Sequence, residues 1–294
     1  MVGSKLRAVR ETPWPPEPPF AMPPARTVLA PGRGELFLRD SGGDGPAVLL
    51  LHGWLASADL NWFRAYGALQ DAGYRVLALD HRGHGRGLRT LDPFTLVDCA
   101  GDAAAALRVL DAGPAIVVGY SMGGAIAQLL ARDHPDVVAG LVLSGTSQEF
   151  QHPAEKRIWR AMAAFRLGLS VAPYTTWRVA FKRAGLRESA ITTWITCELL
   201  RHSPRDVAEA GRELGRFDSR PWIGTVTAPA AVVVTAADEA VSPRRQRDLA
   251  AALGAAVFEG PIDHLQIVSR ASVYNPALLQ ALAHVGGGKR VAVA

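Results

Sequence analysis

Short apolar runs recur along the chain, and most of them are followed by a segment of helix length. Within the runs apolar residues do not alternate with polar ones, which predicts strands that are buried on both faces. Such strands are typical of a mostly parallel sheet sandwiched by helices, so the pattern predicts an α/β fold. The predicted strands are Ala47–Leu51, Tyr74–Leu79, Ala115–Gly119, Val137–Leu143, Ala230–Thr235 and Ala255–Glu259. The predicted helices are Ser57–Ala72, Asp92–Leu110, Met122–Asp133, Pro243–Leu253 and Asn275–His284.

The two ends of the chain have different patterns. Residues 12–24 hold many of the 20 prolines. We therefore expect residues 1–25 to form an extended N-terminal arm rather than a helix or a central strand. Two short strands, Thr27–Leu29 and Glu35–Arg39, are predicted after the arm on either side of a Pro-Gly turn. The glycine-rich residues 286–294 predict a flexible tail.

The alternation of strands and helices stops between residues 147 and 221, where no strand-like run occurs. Helical spacing covers Glu155–Leu169, Tyr174–Ala184, Ala190–Arg201 and Arg205–Leu214. Because strands resume afterwards, these residues predict a helical cap inserted after the sixth strand. We call residues 147–221 the cap, and the predicted α/β core consists of residues 26–146 and 222–285.

The composition is that of a globular protein. Of the 294 residues, 49% are hydrophobic and 20% are charged. No apolar run approaches the roughly 18 residues of a membrane-spanning helix, and residues 1–10 hold no apolar segment of signal-peptide length. We therefore expect a cytoplasmic protein with no integral membrane segment. The net charge is only +5 and the basic residues are scattered, which argues against a nucleic-acid partner.

One motif combines a strand, a tight turn and a helix. The predicted strand Ala115–Gly119 leads into Gly119-Tyr120-Ser121-Met122-Gly123-Gly124, where a helix begins at once. The pattern G-x-S-x-G in this setting is typical of a nucleophilic serine whose hydroxyl projects above the sheet. The helix N-terminus also favours developing negative charge. Ser121 is therefore the candidate nucleophile, although a Gly-Ser turn that only caps a helix has the same local pattern.

A serine hydroxyl becomes a good nucleophile when a base removes its proton, and the usual base is a histidine oriented by a carboxylate. His264 follows the last predicted strand, in a loop at the carboxyl edge of the sheet. Asp238 follows the preceding strand at the same edge, and Glu239 and Asp263 are its alternatives. The sequence predicts a catalytic set of Ser121, Asp238 and His264.

At this point the chain resembles the serine-nucleophile branch of the α/β-hydrolase superfamily, over roughly residues 27–284. The resemblance rests on Leu51-His52-Gly53-Trp54, Asp80-His81-Arg82-Gly83-His84-Gly85, the Ser121 motif, Asp238 and His264. Within the superfamily, His-Gly-Trp and Ser-Met-Gly-Gly resemble the esterase, enol-lactonase and cofactor-free haloperoxidase group. The resemblance implies the α/β-hydrolase fold, with the backbone amides of Trp54 and Met122 as the oxyanion hole.

The histidine-rich segment from Asp80 to Gly87 invites a metal interpretation, but no further ligands at metal spacing accompany it. Its glycines also do not match the dinucleotide-binding fingerprint, which needs the loop between the first strand and a helix. We therefore predict a glycine-rich loop and expect neither a metal nor a cofactor.

The predicted function is a serine hydrolase that cleaves small carboxylic esters with apolar acyl or aromatic groups. The same triad suits a lactone, a thioester, a carbon–carbon bond or perhydrolysis, as in the cofactor-free haloperoxidases. A different alternative is a non-catalytic fold that binds a small hydrophobic molecule. The cap is rich in arginine and holds Trp159, Trp177 and Trp194, which either pack the cap onto the sheet or form an apolar pocket. The sequence indicates no oligomeric state.

Overall fold

The computed structural model describes residue 18 and residues 20–183, 187 and 189–287. Most of the predicted N-terminal arm, and the predicted tail from residue 288 onward, lie outside the described residues. The strands are β1 (Ala25–Ala30), β2 (Gly34–Asp40), β3 (Ala47–Leu51), β4 (Arg75–Leu79), β5 (Ala115–Tyr120), β6 (Val138–Ser144), β7 (Ala230–Thr235) and β8 (Ala256–Gly260). They form one sheet in the order β1-β2-β4-β3-β5-β6-β7-β8.

The sheet is antiparallel at one edge and parallel elsewhere. β1 pairs with β2 and β2 with β4 in antiparallel fashion, whereas every pairing from β4 to β8 is parallel. The carboxyl ends of β3, β5, β7 and β8 therefore lie at the same edge, which is where open α/β sheets bind ligands. The mostly parallel sheet predicted from the sequence is confirmed.

Helices cover both faces of the sheet. They are α1 (Ala58–Trp62), α2 (Tyr66–Asp71), α3 (Leu96–Val109), α4 (Met122–Asp133), α5 (Pro153–Arg160), α6 (Met162–Val171), α7 (Pro173–Arg183), α8 (Ala190–Leu199), α9 (Pro204–Leu214), α10 (Pro243–Leu253), α11 (Gln266–Ser269) and α12 (Ala271–Val285).

Strand β3 shows why the predicted strands do not alternate. Leu49 and Leu51 pack into an apolar layer with α3 and α4, while Val48 and Leu50 pack into a second layer with α1, α2 and α12. All four side chains are almost fully buried, and burial of each contributes about 1.5–3 kcal/mol. A strand between two layers needs apolar residues at every position.

Two segments predicted as single helices are each divided into two helices in the structure, so these two predictions are wrong. The predicted helix Ser57–Ala72 is divided into α1 and α2 by a turn in which the Ala65 amide donates to the Trp62 carbonyl. The predicted helix Glu155–Leu169 is divided into α5 and α6 at Ala161, whose amide donates to the Ile158 carbonyl. Neither break contains glycine or proline, so the tighter i→i+3 hydrogen bonds mark bends that local propensity does not signal.

The cap helices α5 to α9 lie between β6 and β7, so the predicted position of the helical insertion is confirmed. Their interior is a separate apolar cluster built on Leu169, Trp177, Leu199 and Val207. The helices are joined to the core by charge as well, because Arg86 forms a two-pronged ion pair with the buried carboxylate of Glu198 at 2.7 and 2.8 Å. No helix among the described residues is long and apolar enough to cross a membrane.

Candidate active site

Ser121 occupies a sharp turn between β5 and α4. Its φ of 53° lies in the left-handed region, which is costly for a residue with a side chain. Glycines make the turn feasible, because a Cβ at Gly119 would lie 2.4 Å from the Gly123 carbonyl oxygen. A Cβ at Gly123 would in turn lie 2.1 Å from the Leu51 carbonyl oxygen of β3. The turn thus packs backbone against backbone and lifts the serine to the carboxyl edge of the sheet.

The three residues predicted as the catalytic set lie within hydrogen-bond distance of one another. The Ser121 Oγ is 3.1 Å from His264 Nε2, and His264 Nδ1 is 2.7 Å from Asp238 Oδ2. An ionised carboxylate can only accept, so Nδ1 carries the proton that it donates to Asp238. Nε2 is then left as the acceptor for the serine hydroxyl. This is the geometry of a nucleophile, a base and an orienting acid.

Asp238 is held by its own loop. Its Oδ1 accepts hydrogen bonds from the amides of Ala240 and Val241, at 2.9 and 2.8 Å. Its Oδ2 accepts one from the Thr235 hydroxyl at 2.7 Å in addition to the bond from His264. Burial raises the pKa of Asp238, but the hydrogen bond and charge of His264 and the bonds from Val241 and Thr235 outweigh it. The pKa therefore lies below its ordinary value of 3.8, and the group is a carboxylate at neutral pH.

The two alternative acids lie elsewhere. Glu239 is exposed beside the loop, and Asp263 uses its Oδ1 to accept the amides of Leu265 and Gln266. Of the three carboxylates considered, Asp238 is the one in contact with the His264 ring.

Several residues that support this set were missed by sequence reasoning. The Gln246 side chain hydrogen-bonds the Thr235 hydroxyl and the Val241 carbonyl, at 2.8 and 2.7 Å, which fixes the loop around Asp238. The Tyr120 hydroxyl donates to the His264 carbonyl. Tyr120 carried a signal, since it stands next to Ser121 in the motif. Gln246 carried none, because it lies in the first turn of an ordinary helix.

The two amides predicted for the oxyanion hole lie beside Ser121. Met122 begins α4, and the first amides of a helix have no partner within it. Trp54 lies in the loop after β3, next to Gly53, where a Cβ would be 3.3 Å from the Ser121 Cβ. Neither amide has a hydrogen-bond partner among the residues that the structure describes. Both are therefore free to donate to a group bound above Ser121.

Histidines of the neighbouring loops form hydrogen bonds with backbone groups. His52 Nε2 accepts the His81 amide at 3.0 Å, so its Nδ1 donates to the Gly53 carbonyl at 2.8 Å. His84 hydrogen-bonds the Arg82 carbonyl through Nδ1. Burial lowers the pKa of all these rings, that of His81 to about 3, so they are neutral at pH 7. Within the described ranges, no three His, Cys, Asp or Glu side chains are grouped to hold a metal ion.

Two cavities lie near the site and within the cap. A cleft of about 640 Å³ opens beside His264, and its walls include Ala237, Glu239 and Arg270. A smaller cavity of about 250 Å³ lies in the cap, with mostly apolar walls that include Leu169 and Trp177. The first is within the usual size range of small-molecule sites.

Comparison with known proteins places the chain in a family. A family model described as alpha/beta hydrolase fold matches residues 46–169. The chain is 32% identical over 252 residues to a protein of Variovorax paradoxus named "Putative carbamate hydrolase RutD", covering 82% of this chain and 93% of that protein. It is 38% identical over 119 residues to a non-heme chloroperoxidase of Streptomyces lividans, covering 40% of this chain and 43% of that protein.

Solved structures agree on the fold. The enol-lactonase from Burkholderia xenovorans superposes with a TM-score of 0.73 at 22% identity, covering 88% of this chain and all of that one (100%). An esterase from Exiguobacterium antarcticum superposes with a TM-score of 0.75 at 17% identity, covering 87% and 98% of the two chains. At these identities the likeness is one of fold alone. Because the 32% identity extends over 93% of a curated relative, the chain belongs to the α/β-hydrolase family and is a hydrolase of that family.

Proposed function

We propose that the protein is a serine hydrolase that cleaves carboxylic esters of small apolar or aromatic substrates through an acyl-enzyme intermediate. The observation that carries the proposal is the continuous hydrogen-bonded chain from Ser121 through His264 to Asp238. That chain lies at the carboxyl edge of the sheet, and His264 is one of the residues that line a cleft large enough for a small molecule.

In the proposed reaction, Ser121 Oγ attacks the ester carbonyl while His264 Nε2 takes the hydroxyl proton. The buried Asp238 carboxylate keeps the His264 proton on Nδ1 and stabilises the imidazolium. The amides of Trp54 and Met122 donate to the oxyanion of the tetrahedral intermediate. His264 then gives its proton to the leaving alkoxide, which departs as the alcohol. Water repeats the sequence on the acyl-enzyme and releases the acid, and none of these steps needs a cofactor or a metal.

The proposed preference for apolar groups rests on the cap. Its interior cluster is aliphatic and aromatic, and the 250 Å³ cavity beside it has mostly apolar walls, to which Ser170 and His202 add polar groups. Each buried methylene contributes about 0.8 kcal/mol, so three added methylenes raise kcat/KM by roughly thirty- to sixtyfold before a pocket fills. A series of p-nitrophenyl esters from acetate to decanoate measures this, and a steady fall from acetate onward would contradict an apolar pocket.

A carbamate is the second candidate substrate, because the relative matched over 93% of its length is named "Putative carbamate hydrolase RutD". A carbamate carbonyl is attacked in the same way, but nitrogen donation makes it less electrophilic than an ester. Parallel assays with an aryl acetate and the matching aryl carbamate, with lactones and thioesters in the same panel, distinguish the candidates by kcat/KM.

The proposed nucleophile is tested by Ser121→Ala, with Ser144→Ala as the matched control. Ser144 is a buried serine at the end of the neighbouring strand β6, and its carbonyl accepts the Ser121 amide. Ser121→Ala is expected to abolish labelling by a fluorophosphonate probe and to lower turnover by several orders of magnitude, while Ser144→Ala keeps both. Labelling that persists in Ser121→Ala would move the nucleophile to another residue.

A further inference from the structure

The loop that carries the Trp54 amide is strained. We call residues 53–56, between β3 and α1, the oxyanion loop. Within it Leu55 has a φ of 60°, in the left-handed region that side chains disfavour. Such a conformation persists only where the surrounding structure over-determines it. The contacts made by the oxyanion loop therefore matter for where its amides point.

One of these contacts is a hydrogen bond to the cap. The Trp54 indole Nε1–H donates to the Val207 carbonyl of α9 at 2.8 Å. The indole ring also packs edge-on against Trp159 and Phe165, with centroid distances of 5.3 and 6.1 Å. Val207 is fully buried and Trp54 is half-buried, so the bond is partly shielded from water.

A second contact comes from the turn before α9. His202 Nδ1 accepts the Gly85 amide at 2.8 Å, which places the His202 proton on Nε2. No regular hydrogen bond joins that Nε2–H to a described residue, but the Leu55 side chain packs against the apolar cluster of the cap. Burial and the charge of Arg89 lower the pKa of His202 to about 3, so the ring is neutral at pH 7. The cap thus reaches the oxyanion loop at two consecutive residues.

We propose that Trp54 is a positioning residue: its indole N–H ties the oxyanion loop to cap helix α9 and thereby sets the direction of its own backbone amide. The inference rests on the proposed function, in which that amide stabilises the oxyanion. An oxyanion donor is effective within a narrow range of distance, and a misplacement of about 1 Å costs on the order of a hundredfold in rate. The cap then contributes to the chemical step as well as to binding.

Trp54→Phe tests this, because phenylalanine keeps an aromatic ring in the cap cluster and removes only the N–H donor and part of the ring. Trp159→Phe is the matched control. The Trp159 indole donates to the Phe150 carbonyl at 3.0 Å, so the control also loses one indole-to-carbonyl hydrogen bond in the cap. A purely structural role predicts similar losses of Tm and similar activities for the two variants.

The expected result is a kcat about ten- to hundredfold lower in Trp54→Phe, with KM within about twofold of wild type. Trp159→Phe should keep kcat within about twofold. A trifluoromethyl ketone adds to the serine and places an oxyanion in the hole, so its inhibition constant should rise in Trp54→Phe by the same factor as kcat falls.

If Trp54→Phe and Trp159→Phe have the same kcat, the inference is overturned. The proposed function stays intact in that case, provided that the wild type is active and Ser121→Ala is not. A fall in kcat without a matching rise in the inhibition constant would also overturn it, because the effect would then lie outside the oxyanion hole. A wild-type protein that neither hydrolyses esters nor takes up the fluorophosphonate would instead defeat the proposed function, and the inference with it.

Discussion

The carboxyl edge of the sheet and the cap are held together in different ways. At the sheet edge, backbone groups determine where side chains lie: the Ser121 turn depends on glycines in contact with neighbouring carbonyls, and Asp238 accepts two amides of its own loop. In the cap, contacts between side chains determine the arrangement, as in the ion pair between Arg86 and Glu198. Exposed apolar side chains are also frequent there, namely Ile158, Leu167, Val171, Tyr174, Val179 and Ile191.

Under the proposed function, this difference separates the chemical step from substrate selectivity. A triad needs placement within about half an ångström, which a close-packed backbone provides. In that proposal the cap covers the substrate, and its side chains can change without disturbing the triad, provided that its contacts with the oxyanion loop are kept. Substitutions should therefore have their largest effects at the sheet edge and smaller, condition-dependent effects in the cap.

The largest expected effect is that of Asp238→Asn. Because Oδ1 accepts two backbone amides, the asparagine oxygen must take that position, and its NH₂ then faces His264 Nδ1. The ring proton is forced onto Nε2, where Ser121 needs an acceptor, and kcat should fall by about 10⁴-fold. Kinetics with an activated ester measure this. Asp263→Asn is the control and should stay within a few-fold of wild type, whereas the reverse ranking would assign the acid to Asp263.

A smaller effect is expected for Gly123→Ala, measured by denaturant unfolding. The new Cβ would lie 2.1 Å from the Leu51 carbonyl oxygen, so α4 and β3 must separate, at a cost of about 3 kcal/mol or more. Gly67→Ala in α2 is the control, because a Cβ there meets nothing within 4 Å. It should stabilise the protein by about 0.5–1 kcal/mol through helix propensity. Equal stabilities of the two variants would contradict close packing at the sheet edge.

The smallest expected effect concerns His202 and acid. Its folded-state pKa of about 3 lies below the ordinary value of 6.5, so the unfolded ring binds a proton first as the pH falls. The stabilisation is complete above pH 6.5 and is lost toward pH 3, at about 1.4 kcal/mol per pH unit. Between pH 6.5 and 5, unfolding free energies should therefore fall by about 2 kcal/mol less in His202→Gln than in wild type.

The exposed His284 provides the control for this measurement. His284→Gln replaces a solvent-exposed imidazole by the same amide side chain and so measures the effect of the substitution alone. If His202→Gln kept the pH dependence of the wild type, the acid sensitivity would have to come from the buried histidines of the core, such as His81, whose pKa is lowered to about 3 by burial.

Much of the fold could be predicted because its signals are local. A strand between two layers shows as an apolar run, and the Ser121 turn shows as glycines at fixed offsets along the chain. Ser121, Asp238 and His264 each come shortly after a predicted parallel strand, which predicted that they meet, since parallel strands end at one edge. Their roles in catalysis, the oxyanion hole and the division into core and cap stay predictions.

The sequence by itself determined the strands, the helical insertion and the candidates for a triad, because each rests on residues a few positions apart. Tertiary structure decided where helices bend, as at Ala161, and which side chains support the site. Gln246 braces the Asp238 loop from a helix, and Trp54 bonds to Val207 across 153 residues of chain. Such contacts depend on how separate helices, strands and loops pack together. A local pattern of residues therefore cannot predict them.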